Sequence, residues 1–260
     1  MDNYWKATWE LGRDLLIAPS RALKRLEGDD GLQASLRLFA IALVAAVLFY
    51  TFKPTDFPPT DSLDLPLGVD AQQSLVFWAK VQAWEPLLTA VMIVFLGWFC
   101  WFFKSGRAGP KLILGACLGL LPTIPMLFYT RNMISKPVFG LLWLAILGGM
   151  VPGLRTRAAA SWKSLTSLIL AINVVNLALL LPFIATVLLR AGSAYHALEI
   201  AMVFWTLGLG AYVLSSLDGL PTSRAFSAIF LAMLCQAWFI FSIYLLGLVP
   251  KDILKAMMSV

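Results

Sequence analysis

The sequence predicts an all-α protein: a polytopic transmembrane bundle of about seven apolar helices, preceded by an amphipathic helix at the membrane interface. Three observations carry the prediction. Of 260 residues, 60% are hydrophobic and only 13% charged, with a mean hydropathy of +0.82, outside the range of an ordinary soluble domain. Apolar runs recur that are long enough to cross about 30 Å of hydrocarbon at about 1.5 Å per residue. Lysines and arginines cluster beside those runs, as the positive-inside rule requires, so the net charge of +6 is not the footprint of a nucleic-acid partner.

Residues 1–31 read as cytoplasmic amphipathic helices. Trp5, Trp9 and Leu16 share a narrow sector at 100° per residue, and Lys6, Glu10, Arg13 and Asp14 fall to the other side. Tryptophans beside basic residues suit the lipid headgroup region; packing on the bundle's own end is the equal alternative. Pro19 restarts a helix with Arg21, Lys24 and Arg25 on it, and Gly28 to Gly31 breaks it, with Asp30 the expected N-cap of the next. Trp5, Trp9, Arg21, Lys24, Arg25 and Arg107 form the expected surface for lipid or for partner proteins. No cleavable leader pattern precedes the first span, which is expected to act as its own targeting signal.

Residues 32–250 form the bundle. The first span covers 36–52. The loop 53–85 is acidic and extracytoplasmic, with Asp56, Asp61, Asp64, Asp70 and Glu85 against Lys53 and Lys80. Prolines 54, 58, 59 and 66 keep its first half extended, and 72–82 reads as a short helix resting on the membrane through Leu75, Phe77 and Trp78. The second span, 86–103, ends in an interfacial aromatic cluster. The third, 110–129, carries Gly115-x-x-x-Gly119 for close helix approach, and Pro122 and Pro125 should kink or break it. The fourth, 137–154, is glycine-rich and near the lower limit of spanning length; re-entry there would leave six spans. The fifth, 162–190, is the longest apolar run; it holds Asn173 and Asn176 on one face and Pro182 further on. The sixth covers 197–216, and the seventh 225–248, with Ala228, Ala232 and Gln236 along one stripe. Residues 251–260 are a tail. With seven crossings and a cytoplasmic N-terminus, 13 of the 20 basic residues lie inside, which places the C-terminus outside and suggests a bacterial cytoplasmic (inner) membrane.

The inventory for chemistry is thin. His196 is the sole histidine, and Cys100, Cys117 and Cys235 lie in apolar segments without metal-ligand spacing. No catalytic motif occurs, so no enzyme activity, cofactor or metal is expected. Arg190, His196 and Glu199 cluster at the head of the sixth span and read as an ion pair, with an ion or proton relay the other reading. Asn173, Asn176 and Gln236 form an intramembrane polar set: interhelical hydrogen bonds, typically about 0.6 kcal/mol each, are the plainer reading and a pore lining the sharper one.

Three stretches resemble the Ypt/Rab-interacting-protein (Yip) domain family in its short prokaryotic form. They are the amphipathic lead from Leu15 to Leu26 with Pro19 and Ala22, the Ser105-Gly106-Arg107 turn before the span with Pro122 and Pro125, and the region from Trp205 to Ala225. The family is commonly described with about five spans, and the long acidic N-terminal tail of eukaryotic members is missing here. The resemblance implies a membrane scaffold without catalysis; no GTPase-binding residue carries over. The expected function is therefore a non-enzymatic scaffold or assembly subunit that meets membrane lipids and other membrane proteins or a second copy. The alternative is a solute or lipid permease or channel with a polar path near Asn173, Asn176, Pro122 and Pro125.

Overall fold

The computed structural model describes residues 2–28, 30–54, 56–58, 73–156 and 159–259. In chain order the helices are α1 (Asp2–Ile17), α2 (Pro19–Glu27), α3 (Gly31–Phe52), α4 (Leu75–Gln82), α5 (Glu85–Phe103), α6 (Ala108–Leu120), α7 (Thr123–Thr130), α8 (Lys136–Arg155), α9 (Ala159–Ala171), α10 (Val174–Leu188), α11 (Gly192–Asp218), α12 (Thr222–Leu245) and α13 (Lys251–Ser259). No strand occurs among the described residues. Seven helical segments are long and apolar enough to cross a membrane: α3, α4–α5, α6–α7, α8, α9–α10, α11 and α12. This is an integral membrane protein with the all-α architecture its sequence predicts.

The centre of the bundle is built by α5, α9, α11 and α12, where Leu96, Phe99, Phe103, Leu168, Leu214 and Ile229 are buried. Small residues let these helices close up. A Cβ on Gly97 would lie 2.7 Å from Trp162 Cζ3, and one on Gly119 2.8 Å from Leu231 of α12, so the Gly115-x-x-x-Gly119 pair does serve a close helix approach. Charged side chains finish α5: Arg224 donates to Phe103 O at 2.7 Å and Gly106 O at 2.8 Å, and Lys111 donates to Phe102 O. Cations on orphan carbonyls at a helix C-terminus satisfy both the hydrogen bonds and the helix dipole. Gly219, at φ 64°, ends α11 in the left-handed conformation that glycine adopts without steric cost.

The two chain ends lie at opposite ends of the bundle, as an odd number of crossings requires. At the start of α3, Gly31 lies so close to α2 that a Cβ there would be 2.7 Å from Leu26 O. At the far end of α3, Tyr50 stacks on Trp78 of α4 with ring centres 4.9 Å apart, and α13 packs Ala256 into the same cluster. The tail Lys251–Ser259 is therefore helical and docked: α13 packs on α4. The fourth segment is one uninterrupted 20-residue helix through its glycines and Pro152, so the structure favours crossing over re-entry.

Other expectations are corrected. The expected N-cap Asp30 makes no side-chain cap bond, because its backbone is already helical, at φ −82° and ψ −8°. The third span breaks at Leu121–Pro122, as its prolines predict. The fifth, expected as one long run, is interrupted at Ile172–Asn173, while Pro182 sits inside a continuous α10. Trp78 does not rest on lipid. It faces inward on α4 and leaves Leu75 and Val76 exposed. Asp61, Asp64, Asp70, Pro59 and Pro66 lie outside the described residues.

α1 reconciles its two readings. Leu11 and Leu15 are buried against the bundle, while Trp5 and Trp9 are 56% and 73% exposed on a flanking sector. The helix has three faces: one on protein, one of tryptophan, one of charge.

A polar cavity at a broken helix

The break between α9 and α10 leaves the carbonyls of Ile169 and Leu170 without their usual partners four residues on. The side chain of Asn173 supplies the donor: its Nδ2 lies 3.3 Å from Ile169 O and 3.3 Å from Leu170 O. Asn176 Nδ2 reaches Asn173 Oδ1 at 3.4 Å. The expected interhelical bonds are therefore not made. Each amide is spent within its own segment, because the broken backbone is the nearer acceptor.

Both asparagines line an open-sided cavity of about 320 Å3 bounded by α3, the α4–α5 turn, α10 and α11. Space exists because α3 turns Ala42, Ala45 and Ala46 toward it, three small residues at helical spacing. The wall also carries Gln82, Glu85 and Glu199, together with Phe49, Tyr50, Phe183 and Tyr195. Gln82 is 5% exposed, and its Nε2 has no hydrogen-bond partner among the described residues. A buried unpaired amide costs roughly 1–3 kcal/mol, and this nitrogen is itself closed off from the cavity.

The rim is held by charge. Lys53, one residue beyond α3, donates to Tyr195 Oη at 2.8 Å and lies 4.5 Å from the centre of the Tyr195 ring and 5.7 Å from that of Tyr50. Burial lowers the Lys53 ammonium below its usual range, partly offset by the Glu199 carboxylate. Phe57 covers Tyr195 edge-on at 5.3 Å. The expected ion pair divides in two: His196 Nδ1 meets Glu199 Oε2 at 2.9 Å, whereas Arg190 meets Asp56 Oδ2 at 2.6 Å. Arg190 is diverted because it occupies the left-handed turn between α10 and α11, at φ 50°, where it meets the 53–58 segment.

The remaining expected site residues lie elsewhere. Gln236, on α12, is not part of this wall. Pro122 and Pro125 line a separate cavity of about 650 Å3 bounded by α5, α6–α7 and α8, almost wholly apolar, with no residue in common with the first. The two asparagines and the two prolines thus line different cavities. Trp5, Trp9, Arg21 and Lys24 on α1–α2 and Arg107 at the head of α6 are exposed, but Arg25 faces inward to Asp14 at 2.8 Å and Glu10 at 2.8 Å and ties α2 to α1. Sequence reasoning missed Gln82 and Glu85; a carboxylate opening an apolar span was the available signal.

Among the described residues no group of three His, Cys, Asp or Glu is arranged to hold a metal ion. No protein-family model, curated protein or solved structure matches this chain, so the resemblance to the Yip family gains no support from them.

Proposed function

We propose that this membrane protein binds a small polar solute in the cavity between α3, α4–α5, α10 and α11 and passes it across the membrane, with no catalytic step. The observation that carries this is the gathering of Gln82, Glu85, Asn173, Asn176 and Glu199, from different helices, around one cavity. Polar groups at membrane depth are costly and mark solute or ion paths. A discontinuous helix beside them, here α9–α10, is the arrangement by which transporters expose polar backbone to a substrate. The path runs past Asn173 and Asn176 and away from Pro122 and Pro125. Within this reading the basic α1–α2 end is cytoplasmic and α13 lies across the membrane from it.

The test is access from water. With Cys100, Cys117 and Cys235 replaced by alanine, Ala46→Cys in sealed vesicles should react with a membrane-impermeant thiol reagent, and Asn173→Leu should slow solute flux without loss of folding. An inert Cys at 46 and no flux from any solute class would sink the reading.

A scaffold or assembly role, to which the Yip resemblance also leads, is the second reading. It is favoured by α8, where Cβ atoms on Gly140, Gly148 and Gly149 would meet nothing within 4 Å and Leu141 and Leu144 stand exposed, as a docking face for another helix would. Purification in mild detergent should then recover a partner or an oligomer; a strict monomer would exclude it.

A further inference from the structure

The cavity wall combines two features that select one class of solute. The first is negative charge. Glu85 and Glu199 both face the cavity, and Glu85 has no ion-pair partner among the described residues. Glu199 is served by His196, and Lys53 stands only at the rim. A bound cation would supply the missing counter-charge.

The second is aromatic. Phe49, Tyr50, Phe183 and Tyr195 line the same space, with Phe49 5.2 Å from Tyr50, 6.2 Å from Phe183, and Phe183 5.1 Å from Tyr195. Aromatic faces attract cations through the ring quadrupole, and cages of them are the usual device for alkylated ammonium groups. The chain itself shows that these rings accept an ammonium, since Lys53 Nζ rests against Tyr195 and Tyr50.

We infer that the solute is a small organic ammonium, held between the Glu85 and Glu199 carboxylates and the four rings. A volume of about 320 Å3 suits such a molecule, at the lower end of ligand pockets. This rests on the cavity being a solute site. An inorganic cation is less suited, because it would want several oxygen ligands and no aromatic wall.

The experiment uses the full chain with Ala46→Cys as its only cysteine, in vesicles, and two probes of equal shape: choline and the neutral 3,3-dimethylbutan-1-ol. Choline should slow thiol labelling at position 46 about tenfold, the alcohol should not, and Glu85→Gln should abolish protection while labelling persists. Equal protection by the two probes overturns the ammonium assignment. So does labelling that choline leaves unchanged, or protection that survives both Glu85→Gln and Glu199→Gln. Absence of labelling altogether overturns the solute site itself, and the ammonium with it.

Discussion

Arg25→Met should loosen α1 from the rest of the protein. Asp14 has a side chain only 5% exposed and accepts from Arg25 Nε at 2.8 Å, so the substitution leaves a buried carboxylate with Arg13 as its remaining cation, at 3.1 Å and itself 49% exposed. A hydrogen bond to a charged group is worth about 1.5–3 kcal/mol, and the outer Arg25–Glu10 contact about 0–1. Arg25 is 39% exposed, so solvent screening argues for the lower part of that range, about 2 kcal/mol. That is roughly a thirtyfold shift toward undocked α1. Hydrogen exchange reads it directly: amides around Leu11 and Leu15, buried in the native protein, should exchange faster by that factor at neutral pH, while those of α12 do not change. The pH dependence has a definite sign. Burial pushes the Asp14 carboxyl up, but the Arg25 and Arg13 bonds outweigh it and hold it below 3.8. Its stabilisation is therefore complete above about 3.8 and lost as pH falls through the lower folded value. In Arg25→Met the largest lowering partner is gone, so α1 should release at higher pH than in the native chain. Adding Asp14→Asn should recover part of the loss by removing the uncompensated charge. Exchange in Arg25→Met within twofold of the native rate, at a pH where Asp14 is ionised, would refute the clamp.

Gly97→Ala should lower the thermal midpoint in detergent by an amount equivalent to about 1–3 kcal/mol, because the new methyl meets the rigid Trp162 ring; pairing it with Trp162→Leu should restore part of the loss. An unchanged midpoint would mean that α5 and α9 are less closely packed than described. Arg224→Met should uncap α5 and cost about 2–4 kcal/mol through two charge-assisted bonds, whereas Arg107→Met, on an exposed residue, should change the midpoint little. In sealed vesicles, cysteines at Lys6 and at Ser259 should be labelled from opposite faces of the membrane. Labelling of both from one face would reduce the crossings to an even number.

Hydropathy and spacing alone determined that the chain is a seven-span helical membrane protein with a tryptophan-bearing amphipathic start, because length and apolarity decide what can cross a bilayer without help from other segments. Proline at 122 and glycines at 115 and 119 also acted as read, since both effects are local to one or two turns. Where the long fifth helix breaks was another matter. Pro182 carries the stronger local signal, yet a missing donor can be tolerated inside a packed helix. The interruption falls at Asn173, where a side-chain amide serves the freed carbonyls and neighbouring helices leave room. The site followed the same division. Asn173 and Asn176 were visible as polar residues on an apolar face, but their partners in the cavity come from positions 42 to 203, and only tertiary packing brings Gln82 and Glu85 to the same cavity. Ion pairing is the clearest case of what the fold decides. Arg190, close in sequence to Glu199, turns instead to Asp56, because a side chain chooses its partner by distance in space, and the left-handed turn at Arg190 fixes that distance.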